Sequence, residues 1–241
     1  MKIKFIFLYV LLGVLNTNAQ DTKQMGQPIF GFYISSGMRF ANFDNLNSSF
    51  ALNNISTFEN YIASSNYGFY FRDLKQGTYS ELHYSVISAN SKNDMSSVKS
   101  EFVGRGFGFS FNYDLLRNKI ATILYPKIGF DKNNYELNII NTSYNQTDFN
   151  QILTNLSGEK TFNTNEIYSL NLGLGFEQRI NIYYAFIYLG LSSSYSIDLN
   201  NFKWMDLQER PIKSVPDVNT SGFKIMFTGR IELNWSKFKV K

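Results

Sequence analysis

The stretch Gly222-Phe223-Lys224-Ile225-Met226-Phe227-Thr228-Gly229-Arg230-Ile231-Glu232-Leu233-Asn234-Trp235 alternates without a break. Phe223, Ile225, Phe227, Gly229, Ile231, Leu233 and Trp235 fall on one side, and Lys224, Met226, Thr228, Arg230, Glu232 and Asn234 on the other. A strand turns successive side chains to opposite faces, so this segment reads as a strand with one apolar and one polar face. The pattern recurs upstream. Phe107, Phe109, Phe111 and Tyr113 oppose Gly106, Gly108, Ser110 and Asn112, while Leu170, Leu172, Leu174 and Phe176 oppose Ser169, Asn171, Gly173, Gly175 and Glu177. Near the start, Phe30, Phe32, Ile34, Met38 and Phe40 oppose Gly31, Tyr33, Ser35, Gly37 and Arg39.

A soluble sandwich also alternates, but its polar face meets water and is rich in Lys, Glu and Thr. Here the polar face is mostly Gly, Ser, Asn and Tyr, which suits a narrow interior. The apolar face is large and aromatic, as a surface against lipid must be. Composition agrees. Phe (23), Tyr (16) and Trp (2) make 17% of the 241 residues, and charged residues make only 17%, which excludes a disordered chain. A mean hydropathy of −0.22 excludes a bundle of membrane helices, each of which needs about 20 apolar residues.

Eight strands are expected, over about 29–40, 66–73, 78–89, 103–114, 120–131, 167–179, 182–197 and 222–235. Long connections (41–65, 90–102, 132–166, 198–221) alternate with short ones (74–77, 115–119, 180–181). The fold class is therefore all-β: an eight-stranded antiparallel up-and-down transmembrane barrel, with both ends of the chain on one side. Ten strands remain an alternative if 132–166 contains a further hairpin, because Tyr135-Glu136-Leu137-Asn138-Ile139 also alternates.

Residues 1–19 read as a secretory signal peptide: basic Lys2 and Lys4, an apolar run from Phe5 to Leu15, then Asn16-Thr17-Asn18-Ala19. Cleavage after Ala19 leaves residues 20–241 as one barrel domain and removes two of the charges behind the net +4. No nucleic-acid-type cluster of Lys and Arg remains, so no nucleic-acid partner is expected. Absence of Cys excludes disulfides and thiolate metal sites, and a single histidine, His83, excludes a multi-histidine centre within one chain. Neither a cofactor nor a metal is expected.

The pattern resembles the small outer-membrane barrel families related to OmpA, OmpX and OmpW, and more narrowly the barrel-domain proteins of Bacteroidetes. The resemblance rests on the signal ending Asn18-Ala19-Gln20, the segment Leu124-Tyr125-Pro126-Lys127-Ile128-Gly129-Phe130 and the closing run Gly222 to Trp235. It implies a Gram-negative outer membrane, with periplasmic termini and outer-membrane lipid as the surroundings. One departure is the basic tail Ser236 to Lys241, which follows Trp235 where many such barrels end on an aromatic.

By strand parity, Arg72, Glu81, His83, Glu177, Arg179, Arg230 and Glu232 point inward in the periplasmic half. Buried unpaired, they would be very costly, so a mutually satisfied lumenal network is expected. An eight-stranded barrel is just wide enough for side chains to fill it, so this network reads as a plug, the alternative being a narrow gated path for cations or protons. His83-Tyr84-Ser85 offers a His-x-Ser pair on one face of a strand, the arrangement of outer-membrane lipid hydrolases with histidine as base and serine as nucleophile. Those pairs face lipid, whereas His83 and Ser85 face inward beside Glu81. The glycines of Gly104-Arg105-Gly106-Phe107-Gly108 and Gly173-Leu174-Gly175 precede no helix. They read as room for large inward residues such as Tyr33 or Tyr70. The sequons at Asn54 and Asn155 carry no functional information.

The long loops are the expected place for specific contacts. In 41–65, Phe43, Leu46, Phe50, Leu52, Ile55, Phe58 and Tyr61 have roughly helical spacing, predicting a short amphipathic helix that either caps the barrel or lies on the membrane. In 198–221, Phe202, Trp204 and Met205 beside Lys203 and Arg210 are either a protein contact or part of the upper aromatic girdle. The functional expectation is a non-enzymatic structural or interaction protein, an accessory subunit of a larger outer-membrane assembly with outer-membrane or periplasmic protein partners. The alternatives are a small-solute pore and a lipid hydrolase using His83 and Ser85.

Overall fold

A computed structural model describes residues 29–53, 55–73, 76–91, 98–116, 121–141, 159–182, 185–212 and 215–233. The signal peptide, Asn54, Asn155, Trp235 and the tail 236–241 lie outside them. In chain order the elements are β1 (Ile29–Phe40), α1 (Asp44–Leu52), β2 (Tyr61–Asp73), β3 (Thr78–Asn90), β4 (Val98–Tyr113) and β5 (Thr122–Asn141). They continue with β6 (Glu159–Thr164), β7 (Ile167–Ile182), β8 (Ala185–Asp198), β9 (Trp204–Met205) and β10 (Gly222–Leu233).

Eight strands close into a ring, β1-β2-β3-β4-β5-β7-β8-β10 and back to β1, every neighbouring pair antiparallel. This is the up-and-down barrel that the alternation predicts, and it leaves no open edge in the wall. The start of β1, the end of β10 and the turns after β2, β4 and β7 lie at one end, here the turn end. The helix, β6 and β9 lie at the other, the loop end. Gly77, with φ 69°, makes the β2–β3 turn, where its N–H donates to the Asp73 carbonyl at 2.9 Å.

Several strands exceed their expected spans at the loop end. The largest difference is β5, which continues through Tyr135 and Ile139 to Asn141. That segment forms a hairpin with β6, but among the described residues β6 pairs only β5 and β9 and does not enter the ring. The wall is thus eight-stranded, and the alternation that admitted ten strands belongs to an extension above it.

The exterior is apolar. Phe227 and Phe107 are 70% and 65% exposed, and their neighbours Phe32, Phe69, Leu82, Phe109, Ile128, Leu174 and Leu189 are also turned out. Outward rings touch one another, as Phe32 and Phe69 do at 5.0 Å and Tyr84 and Phe107 at 5.2 Å. The outward series on β4 and β5 changes character towards the loop end. Above Phe107 comes Arg105, and above Phe130 comes Lys132, with Phe107 and Lys132 paired in register. On these two strands the apolar band ends on an aromatic followed by a charge, which suits a surface that leaves a bilayer.

Inside the loop end lies an apolar core. Phe43, Leu46 and Phe50 from α1 and the residues before it pack with Phe58, Phe102, Tyr135, Leu137, Phe202 and Trp204. The helix covers the barrel mouth rather than lying on a membrane. Asn47 anchors it: its Nδ2 donates to the Phe58 carbonyl at 3.0 Å, and its Oδ1 accepts the Phe58 N–H at 2.8 Å.

Candidate functional site

The polar residues singled out by parity stand on strands of the wall, so the site is the lumen itself. It has three charged layers, each assembled from strands distant in sequence.

At the turn end, Arg72 Nη2 donates to Asp114 Oδ2 at 3.2 Å and Nη1 to the Tyr188 hydroxyl at 3.1 Å. Tyr188 in turn donates to Glu232 Oε2 at 2.8 Å, and Glu232 Oε1 lies 3.7 Å from Arg72. Arg230 dominates the middle layer. Its guanidinium pairs with Glu81 and with Glu177 Oε1 at 3.0 Å, and its carbon lies 4.2 Å from the Tyr79 ring centre and 5.2 Å from that of Tyr70. Glu81 also accepts from Lys127 at 2.7 Å and Ser110 at 2.6 Å, and Glu177 accepts from Tyr125 at 2.8 Å. A cation boxed by tyrosine rings and two carboxylates is held by cation–π attraction as well as by charge. Nearer the loop end, His83 Nε2 lies 3.1 Å from Asp131 Oδ1, and Arg39 Nη2 lies 3.9 Å from Asp131 Oδ2.

Inward glycines leave space for these side chains. A Cβ on Gly104 would stand 2.6 Å from the Tyr135 ring, one on Gly31 equally close to Tyr70, and one on Gly108 would strike His83 and Asp131. Tyr70 is one of the two large inward residues for which such room is expected.

Of the seven residues expected in one network, Arg72, Glu81, Glu177, Arg230 and Glu232 join the two lower layers. His83 does not sit with Glu81; its partner is Asp131 of β5, 48 residues away along the chain. Arg179 departs from expectation. It is half-buried, its guanidinium lies 5.3 Å from the Phe186 ring centre, and it has no carboxylate partner among the described residues. Arg39, Asp114, Lys127, Asp131 and Lys224 complete the layers, although none belongs to the expected set. Arg39, Asp114 and Lys224 continue the inward parity of β1, β4 and β10, so carrying that parity to the strand ends is the signal that finds them. Lys127 and Asp131 occupy alternate positions of β5, opposite the outward Ile128 and Phe130.

His83 and Ser85 bond to other residues rather than to each other. Ser85 Oγ donates to Asn66 Oδ1 at 3.0 Å, and the His83 Nε2 edge belongs to Asp131. A serine nucleophile is activated by a base within hydrogen-bond reach, and the Ser85 hydroxyl is directed at Asn66 instead.

The loop residues Phe202, Trp204 and Met205 also differ from expectation. Phe202 and Trp204 are buried in the loop-end core, and Phe202 stacks on Tyr135 at 5.2 Å. Trp204 and Met205 form β9, which pairs with Thr164 and Asn163 of β6. The two buried rings supply neither an exposed contact nor a lipid-facing girdle, because the β6 hairpin draws them over the barrel mouth. Arg210 closes the following turn onto Asp206: its backbone N–H and its guanidinium donate to that carboxylate and hold it below the usual carboxylate range.

No protein-family model matches the chain, and no curated protein matches it. Among solved structures it is similar to a major outer membrane protein from Thermus thermophilus, with 10% identity, 85% of this chain and 99% of that one covered, and a TM-score of 0.48. Ail, the attachment invasion locus protein of Yersinia pestis, gives 9% identity, 86% and 99% coverage and a TM-score of 0.43. Neisserial surface protein A gives 8% identity, 86% and 99% coverage and a TM-score of 0.41. Function does not carry over at such identities, so it is read from the geometry. The chain is a closed eight-stranded antiparallel β-barrel with an apolar exterior and a charged, side-chain-filled interior.

Proposed function

We propose that this protein is a closed barrel of a Gram-negative outer membrane that works, without catalysis, as a structural or interaction protein and accessory subunit of a larger outer-membrane assembly. The observation that carries this reading is the filled lumen. Charged layers cross the barrel from the turn end towards the loop end, an aromatic core closes the loop end, and the cavity among the charged layers, lined by His83, Lys127, Asp131 and Lys224, measures only about 20 Å³. Such a space is on the scale of a single water, too small for a solute path.

The apolar band supports a lipid surround. Short turns and the outer ends of β1 and β10 at one end, with longer loops at the other, support a periplasmic turn end and an extracellular loop end. Partners in this reading are outer-membrane lipid and other outer-membrane or periplasmic proteins, met by the loop surface or the turns.

Planar-bilayer recording and co-purification in mild detergent test the proposal together. The expected results are no steady conductance and a stoichiometric protein partner. Steady openings on the nanosiemens scale would overturn the plug in favour of a small-solute pore. Hydrolysis of lipid esters that disappears in Ser85→Ala would overturn the non-enzymatic reading.

A further inference from the structure

The layers of the lumen are unequally balanced. In the middle one, Arg230 and Lys127 face Glu81 and Glu177. In the layer nearer the loop end, two buried cations, Arg39 and Lys224, stand with one carboxylate, Asp131, which lies 3.9 Å from Arg39, is engaged by His83 and lines the same cavity as Lys224.

Arg39 and Lys224 are direct cross-strand partners on the β1–β10 seam, both turned inward. Like charges directly opposite on one face repel, and burial strengthens the repulsion. None of the three guanidinium nitrogens of Arg39 has a hydrogen-bond acceptor among the described residues, and its distance to Asp131 is 3.9 Å. Lys224 has no ion-pair partner among the described residues. A cation left buried without a partner is strongly destabilising. Beside Lys224 lies the cavity of about 20 Å³, lined also by Lys127, His83, Asp131, Ser192 and Ser194.

We propose that this cavity binds one small monovalent inorganic anion of the halide class, held by Lys224 and drawing on the Arg39 charge next to it. A water molecule fits the volume and accepts from the ammonium, but it brings no charge to offset the second cation. An organic carboxylate or a phosphate exceeds the space. Hydroxyls of Ser192 and Ser194 supply the neutral donors that a weakly hydrated anion accepts. The site goes beyond the structural role proposed above and does not depend on it, because it needs only the closed lumen.

The test is refolding of the full chain into detergent micelles in sodium gluconate, chloride or bromide at equal ionic strength, with thermal unfolding followed by gel mobility. Gluconate is too large to enter. A saturable rise of roughly 3–6 °C in chloride and bromide over gluconate is expected at about ten times the dissociation constant. Crystals grown in bromide should show an anomalous peak beside Lys224 Nζ. Lys224→Met should lose both signals, whereas Lys132→Met, on the exterior, should keep them. Equal midpoints in all three salts without a lumenal peak would overturn the proposal and leave water as the occupant. A bromide peak confined to the outer surface, an adventitious ion only, would overturn it too. Should Lys224→Met fail to fold, the salt comparison and the anomalous map of the natural chain still decide.

Discussion

The guanidinium of Arg230 lies over the ring of Tyr79, 4.2 Å from its centre, although 151 residues separate the two in sequence. Closing the barrel brings β10 and β3 face to face across the lumen and makes this the centre of its polar packing. Replacing Arg230 by Met leaves Glu81 with Lys127 and Ser110 but leaves Glu177 a buried carboxylate facing only hydroxyl donors. A loss of about 3–5 kcal/mol in urea unfolding is expected for Arg230→Met. The double variant Arg230→Met/Glu177→Gln should recover a large part of it; no recovery would mean that the charge pair is not what sets the cost.

The outward face makes an opposite prediction for a different solvent. Phe227 lies midway along β10 with its ring exposed. In water, Phe227→Arg would be neutral or beneficial. Against lipid, a cation near the midplane should cost about 2–4 kcal/mol of folding stability in vesicles. Unchanged stability in bilayers of ordinary thickness would count against the lipid-facing assignment of this band.

The atoms nearest to a Cβ on Gly104 belong to side chains, Tyr135 first and Ile87 next. Gly104→Ala should therefore cost about 1–3 kcal/mol through overpacking, and Tyr135→Leu in the same chain should relieve part of that cost. Strict additivity of the two changes in a double-mutant cycle would contradict the packing described.

Asn47 bonds both backbone groups of Phe58, so Asn47→Ala leaves an N–H and a C=O in the loop-end core without these partners. A local loss of about 1–3 kcal/mol is expected, read as faster hydrogen exchange over 44–60. The gel-mobility midpoint of the whole barrel should hardly move, since the ring of strands does not run through α1. Equal loss of protection throughout the wall would show that the cap and barrel unfold together.

Parity along each strand is a local property, and it is legible directly. Phe223 to Leu233 spell out a two-faced strand, and the same test on Phe107 and Leu172 gives the wall its outside. The helix over 44–52 shows in the spacing of Leu46 and Phe50. Which inward residues meet is not legible, because contacts across a lumen depend on register between strands and on closure. Strand neighbourhood puts His83 beside Glu81, yet its partner comes from β5. Phe202 and Trp204 look like exposed loop aromatics because nothing local marks the β6–β9 pairing that covers them.

A period of two and the chemistry of each face are enough to specify a β-barrel with lipid-type residues outside and polar ones inside. Folding in three dimensions sets the remainder: eight strands in the ring with β6 excluded, Asp131 shared by His83 and Arg39, Lys224 opposite Arg39, and an aromatic core beneath α1. The physical reason is the same in each case. A strand's alternation sets the direction of its side chains, whereas the neighbours they meet are set by hydrogen-bond register and ring closure, which join residues far apart along the chain.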